Sequence, residues 1–205
     1  MTSVRQTPPP ASSGRRGRPG YDLESVLRVA VKLFNDRGYD GTSMEDLSRK
    51  LGITKSAIYH HVSSKQELLR LAVDRALDGL FAVVDEAEQV DGRAVERLEY
   101  LVRGSVTVLV DRLPFVTLLL RVRGNTKVER AALARRREFD KIVSELVRAA
   151  ENEGDIRPDI DPAVTARLLF GMVNSLIEWY RPRRGSDPTD LADAVAKIAF
   201  DGIRT

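Results

Sequence analysis

The sequence has no cysteine. That excludes disulfides, zinc–thiolate sites and thiol nucleophiles, and it makes a cytoplasmic setting the expectation. Its two histidines, His60 and His61, are adjacent. Metal-ligand pairs on a helix need a spacing of three or four, so no metal is expected, and no cofactor motif is present. No apolar run approaches the roughly 18 residues of a membrane span. The basic N-terminus lacks the apolar core of a secretion signal. There is no Gly-rich phosphate loop and no Ser/His/Asp arrangement; the chain does not read as an enzyme. Alternating strand patterns and internal repeats are also missing.

What is present suits a folded, helical chain. Hydrophobic residues make up 42% and charged residues 31%, the balance of a globular protein. The net charge of +3 is unevenly placed. Residues 1–62 hold ten Lys/Arg against six Asp/Glu, and the remainder 23 against 24. The excess sits at one end, as in chains with a nucleic-acid-facing end and a neutral body.

Residues 1–20 (MTSVRQTPPPASSGRRGRPG) are rich in Pro, Ser, Gly and Arg without apolar periodicity, so they are expected to be disordered. Arg15, Arg16 and Arg18 precede the first helix. They fit either a solubilising tail or an arm that orders on phosphates or in a minor groove. Asp22 caps a first helix to about Arg37, with Val26, Ala30 and Phe34 on one face and Gly38 ending it.

Residues 42–65 (TSMEDLSRKLGITKSAIYHHVSSK) then read as helix, glycine turn, helix. Ser43 and Asp46 have capping-box spacing, and Gly52 suits the left-handed residue that ends a helix. Thr54 caps the next helix, which carries Lys55, Ser56, Ala57, Ile58, Tyr59 and His60. Such a unit places its second helix in a DNA major groove. Thr42, Ser43 and Thr54 stand at helix N-termini, which suit phosphate. Lys55 and Ser56 can read base edges, and Ala57 can touch a thymine methyl. Tyr59, His60 and Lys65 can reach the backbone, with a wet core tyrosine and a plain solvated lysine as the bland alternatives. The expected core of this unit is Val26, Ala30, Phe34, Met44, Leu47, Leu51, Ile53 and Ile58.

Ser64 and Glu67 again have capping-box spacing, opening a long helix to about Gln89. A helix capped by Asp91 follows, then a short apolar one from Pro114, then a long one from Asn125 or Thr126 to Glu153. Asp161-Pro162 and Asp187-Pro188 each place a cap before a proline at the first helical position. The expected fold is all-α with about nine helices: residues 21–66 for DNA reading, and 67–205 for a helical body.

The run from Val29 through Leu69 resembles the DNA-binding domain of the TetR (tetracycline-repressor-like) family of bacterial regulators. F-x-x-x-G-Y-x-G-T-S, L-G-I-T-K-S-A-I-Y-H-H and S-S-K-Q-E-L-L occur together and in order. Val62 stands where the family usually has an aromatic, a change that bears on packing more than on DNA contact. The resemblance implies a homodimeric repressor on a palindromic double-stranded operator, released by a small-molecule effector. A regulator without an effector, controlled by a protein partner or acting architecturally, is the alternative.

The resemblance also implies a pocket walled by the long connecting helix and the next three. Its candidate lining is Leu80, Val84, Tyr100, Gly104, Phe115, Leu119, Phe139, Ile142, Val143, Met172 and Trp179, although a plain core has the same apolar pattern. Arg103 and Arg121 are the candidate polar anchors. If either points inward, an acidic ligand such as an acyl-CoA follows; if both face water, a neutral hydrophobic one. The consecutive Arg135, Arg136 and Arg137 read as a solvated face. The last two helices are expected to pair across a two-fold axis through Val164, Leu168, Gly171, Ser175, Leu191, Val195 and Ile198. Trp179 fits a dimer anchor, a pocket wall or a plug on a helix end.

Overall fold

The computed structural model describes residues 22–182 and 187–204. Arg15, Arg16 and Arg18 lie outside the described residues. Among the described residues there are nine helices and no strand. They are α1 (Leu23–Arg37), α2 (Met44–Leu51), α3 (Lys55–Tyr59), α4 (Lys65–Glu88) and α5 (Ala94–Asp111), then α6 (Leu113–Arg121), α7 (Lys127–Asn152), α8 (Pro162–Trp179) and α9 (Pro188–Asp201).

Most helix starts follow local chemistry. The side chains of Asp22, Ser43, Thr54, Thr126, Asp161 and Asp187 each accept a backbone N–H of the first turn, which satisfies donors the helix itself leaves unpaired. Two starts differ from expectation. At α4, Ser64 accepts from Glu67 N at 3.1 Å, but the Glu67 carboxylate takes Ser63 N and Oγ at 2.6 and 2.5 Å instead of closing on Ser64. At α5 the cap residue is Arg93, not Asp91. Glu96 accepts from Arg93 N at 2.8 Å, and Glu153, at the far end of α7, accepts from Ala94 N at 2.8 Å. A carboxylate 59 residues away in sequence completes this cap, so no local motif announces it.

Val26, Ala30, Phe34, Leu47, Leu51 and Ile58 are buried between α1, α2 and α3, with Met44 and Ile53 partly buried at the edge. The buried apolar residues form one cluster from Val26 to Phe200, and α4 carries it from the first three helices into the body. Over 24 residues, α4 spans about 36 Å. Leu68, Leu69 and Ala72 are buried near its start, and Val83, Val84 and Ala87 near its end.

Three contacts fasten α1 to the body. Arg75 on α4 donates two hydrogen bonds to Glu24 at 2.7 and 2.6 Å, the fork geometry that suits a carboxylate. The Arg75 guanidinium also lies 5.0 Å from the Phe115 ring centre. Asn35 donates to the Pro114 carbonyl at 2.8 Å, and Arg121 donates to the Asn35 carbonyl at 3.3 Å. Helix α6 is thus held against α1 at both its ends.

Candidate functional site

The helix-turn-helix forms from its own sequence. Gly52 adopts φ +68°, which a side chain would strain. Ser48 Oγ donates to the Ile53 carbonyl at 2.6 Å and ties the turn to α2. Ile58 is fully buried, so its neighbours on α3 must face outward. Lys55, Ser56 and His60 are exposed, Ala57 is partly so, and the Tyr59 ring is 50% exposed. Those five occupy the outer surface of a cationic unit. Ser43 and Thr54 are also exposed, each capping its helix.

Two expected DNA contacts are placed differently. Thr42 is 1% exposed. Its hydroxyl donates to the Gly38 carbonyl at 2.9 Å and approaches that of Leu33 at 3.3 Å. That hydroxyl closes the end of α1 and has no free face for phosphate. Lys65 donates to the carbonyls of Tyr39 and Thr42 at 2.9 and 2.8 Å, and its ammonium lies 4.2 Å from the Tyr39 ring centre. It clamps the α1–α2 turn onto the start of α4. Lys55 also has a partner: Glu45 on α2, at 3.0 Å. Both are exposed, so the pair is weak and easily exchanged for another anion.

The body holds a small apolar chamber between α4, α5, α6, α7 and α8. Leu80, Leu119 and Phe139 line it as expected, joined by Leu77, Leu109, Val116, Leu120, Phe170 and Val173. Its polar groups are Ser105, Arg136, Asp140 and Asn174. The free room is about 40 Å³, enough for roughly three waters. An occupant the size of a metabolite must push side chains apart to enter.

The remaining pocket candidates scatter. Val84 and Ile142 line a separate hollow near the end of α4, together with Arg97. Val143 lines a cleft between α7 and α8. Tyr100 is 40% exposed and donates to Glu86 at 2.9 Å. Arg103 pairs with Glu99 at 2.9 Å and with Asp193 on α9. Arg121 faces α1, and Phe115 packs under Arg75. Met172 is partly buried against the core, and Trp179 is 59% exposed at the end of α8. Gly104 is a helix crossing: a Cβ there would lie 2.4 Å from a Val83 methyl. Neither expected arginine enters the chamber. The arginine at its wall is Arg136, hidden in a run that read as a solvated face.

The expected dimer residues divide by exposure. Val164, Leu168, Gly171 and Ser175 are exposed along α8, and Ile198 is 68% exposed on α9. Spacings of four and three make the α8 set a heptad-like seam. Leu191 is partly buried, and Val195 is 6% exposed with its side chain in the core of its own chain. The inward face of α9 carries Ala192, Val195, Ala196, Ala199 and Phe200, and Ile198 points away from it.

The comparisons agree with this layout. Residues 26–72 match the model of bacterial regulatory proteins of the tetR family. Residues 91–203 match that of the tetracyclin repressor-like C-terminal domain. The chain belongs to the TetR family. It is therefore a DNA-binding transcriptional regulator, and no enzyme. A solved TetR-family regulator from Streptomyces coelicolor A3 is 53% identical, with a TM-score of 0.83, covering 95% of this chain and 98% of that one. The transcriptional repressor KstR2 of Rhodococcus jostii is 29% identical over 204 residues, 96% of this chain and 97% of that repressor. The regulator AibR, solved with isovaleryl coenzyme A and operator DNA, is 29% identical with a TM-score of 0.71, covering 86% and 97%. Among the described residues of this TetR-family chain, no helix is long and apolar enough to cross a membrane.

Proposed function

We propose that this TetR-family regulator is a homodimeric repressor that leaves a palindromic operator when a small molecule opens its chamber. The observation that carries the reading is the double duty of α6. Val116, Leu119 and Leu120 wall the chamber, while Pro114 and Arg121 hold Asn35 of α1. A ligand that enlarges a chamber with room for a few waters presses on α4 and α6 among its walls, and both bear on the DNA-reading unit. The effector can shift the equilibrium only by its preference for the opened state.

In this reading Lys55, Ser56 and Ala57 meet base edges, while Ser43, Thr54, Tyr59 and His60 position the unit on phosphates. Thr42 and Lys65 act from behind by fixing the turn. The seam of α8 with Ile198 joins two copies. The paired α3 helices then enter successive major grooves at roughly 34–36 Å. The effector has an apolar body and a polar or acidic group, since the chamber is apolar with Ser105, Arg136, Asp140 and Asn174 in its lining. Acyl-CoA thioesters belong to that class, and the structure of AibR with isovaleryl coenzyme A supports including them.

Selection from a randomised duplex library tests the DNA half. It should return an inverted repeat with half-site centres about one helical turn apart. Lys55→Ala should weaken binding to that repeat while leaving random duplex largely unaffected. Enrichment of no repeat, or equal losses on both duplexes, would count against the assignment.

A further inference from the structure

A second hollow, of about 310 Å³, lies where the DNA-reading unit meets the body. On one side are the end of α1 and the α1–α2 turn, with Phe34, Tyr39 and Gly41. On the other are the end of α6, the loop after it and the start of α7, with Leu118, Arg123 and Glu129. It shares no lining residue with the chamber. Its volume is that of a small-molecule site.

Five charged side chains line this hollow: Arg37, Arg121 and Arg123 against Asp40 and Glu129. Among the described residues no ion pair joins any two of them. Arg37 uses Asp46, outside the hollow, at 3.8 Å. Arg121 reaches only the Asn35 carbonyl, at 3.3 Å, and Arg123 has no partner among the described residues.

Glu129 is the unusual member of the set. It is 5% exposed. One carboxylate oxygen accepts from Asn125 N at 2.6 Å. The other has no hydrogen-bond partner among the described residues, yet it is not sealed from solvent. A buried carboxylate without a cation is costly, and the N-terminus of α7 offsets only part of that cost. The Tyr39 hydroxyl also lacks a hydrogen-bond partner among the described residues. Burial, then the charges of Asp40 and Glu129, raise its pKa, so it keeps its proton.

We propose that this hollow binds an α-amino acid with an apolar side chain, its ammonium on Glu129, its carboxylate on Arg121 and Arg123, and its side chain against Phe34, Leu69 and Leu118. Unpaired charges of both signs in one hollow are matched by a ligand that carries both. A carboxylate alone leaves Glu129 without a cation, and an amine alone meets three arginines. Phe34, Leu69 and Leu118 are buried and apolar, which suits a hydrocarbon side chain. The bound amino acid touches the DNA-reading unit and the body at once. The site does not depend on what fills the chamber.

Hydrogen exchange of the full chain, titrated with L-norleucine, L-phenylalanine, hexanoate and pentylamine, tests this. Hexanoate is norleucine without its ammonium, and pentylamine is norleucine without its carboxylate. Either amino acid should slow exchange at residues 38–41 and 122–125. Hexanoate and pentylamine should need at least ~10-fold higher concentration for the same effect, the scale of one lost charge-assisted hydrogen bond. Glu129→Gln keeps an oxygen for the Asn125 N–H and should weaken norleucine at least ~10-fold. Arg123→Gln, at an exposed position, should weaken norleucine and leave pentylamine unchanged; it carries the test if circular dichroism shows Glu129→Gln unfolded. Hexanoate or pentylamine protecting residues 38–41 as well as norleucine does would overturn the proposal. So would unchanged norleucine affinity in a folded variant, protection confined to the chamber helices, or no protection by either amino acid.

Discussion

Leu168→Glu is the perturbation that tests the assembly most directly. Leu168 is 64% exposed on a single chain, so within one copy the substitution removes little packing. The folded monomer should change by no more than about 0.5 kcal/mol. In a two-fold dimer the change occurs twice. Burying the exposed part of a leucine contributes about 1–2 kcal/mol, so two copies lose roughly 2–4 kcal/mol. Bringing two unpaired glutamates into an apolar seam adds at least as much again. The sum, on the order of 5 kcal/mol, raises the dimer dissociation constant by more than ~10³.

Gly171 supports the location. It lies inside α8, and a Cβ there would meet nothing within 4 Å in the single chain. A glycine inside a helix costs about 0.5–1 kcal/mol relative to alanine, a cost with no benefit unless another backbone approaches. Sedimentation at micromolar concentration, with circular dichroism as the folding control, reads the outcome. The Leu168→Glu chain should be a folded monomer with weak operator binding. A folded dimer of undiminished affinity would refute the seam on α8.

Other outcomes follow from single contacts. Gly104→Ala should lower Tm by about 2–4 °C, because overpacking against Val83 by about 2 kcal/mol outweighs about 1 kcal/mol of better helix propensity and leaves a net loss of about 1 kcal/mol; adding Val83→Ala should restore it, and a raised Tm for Gly104→Ala alone would show an open position. Glu45→Gln should free Lys55 for base edges and tighten binding to the selected repeat several-fold while changing random duplex little, a gain that should shrink in a Lys55→Gln background. Asn35→Ala should leave operator binding near normal but reduce effector-driven release, read by fluorescence anisotropy; full release would remove the α1–α6 contact from the path. Glu24 has its pKa lowered below the ordinary 4.5, first by the hydrogen bonds from Arg75. Its contribution is therefore present above that value and lost as the pH falls through the lowered pKa. Thermal stability should drop in that acid range, and Glu24→Gln should flatten the drop.

Much of this protein was determined by its sequence alone. Helix starts with a cap three residues from its partner, glycine stops and the helix-turn-helix were legible because their physics spans only a few residues. Ser43 with Asp46, Gly52, Thr54 and the two Asp-Pro starts are all of this kind. The outward face of α3 was legible for the same reason: burying Ile58 dictates which way Lys55, Ser56 and Tyr59 must point.

The tertiary structure decided whatever depends on which residues meet across distance. Thr42 and Lys65 look like surface donors in sequence, but the fold brings Thr42 to carbonyls at the end of α1 and Lys65 to carbonyls of the α1–α2 turn. The α5 cap comes from Glu153, far along the chain. Arg103 and Arg121 differ from Arg136 only by which helix faces them, and an apolar stripe reads the same whether it meets a neighbour, a cavity or a second copy. Ser105 shows the limit most plainly. Its buried hydroxyl has no hydrogen-bond partner among the described residues, and only three-dimensional packing shows that.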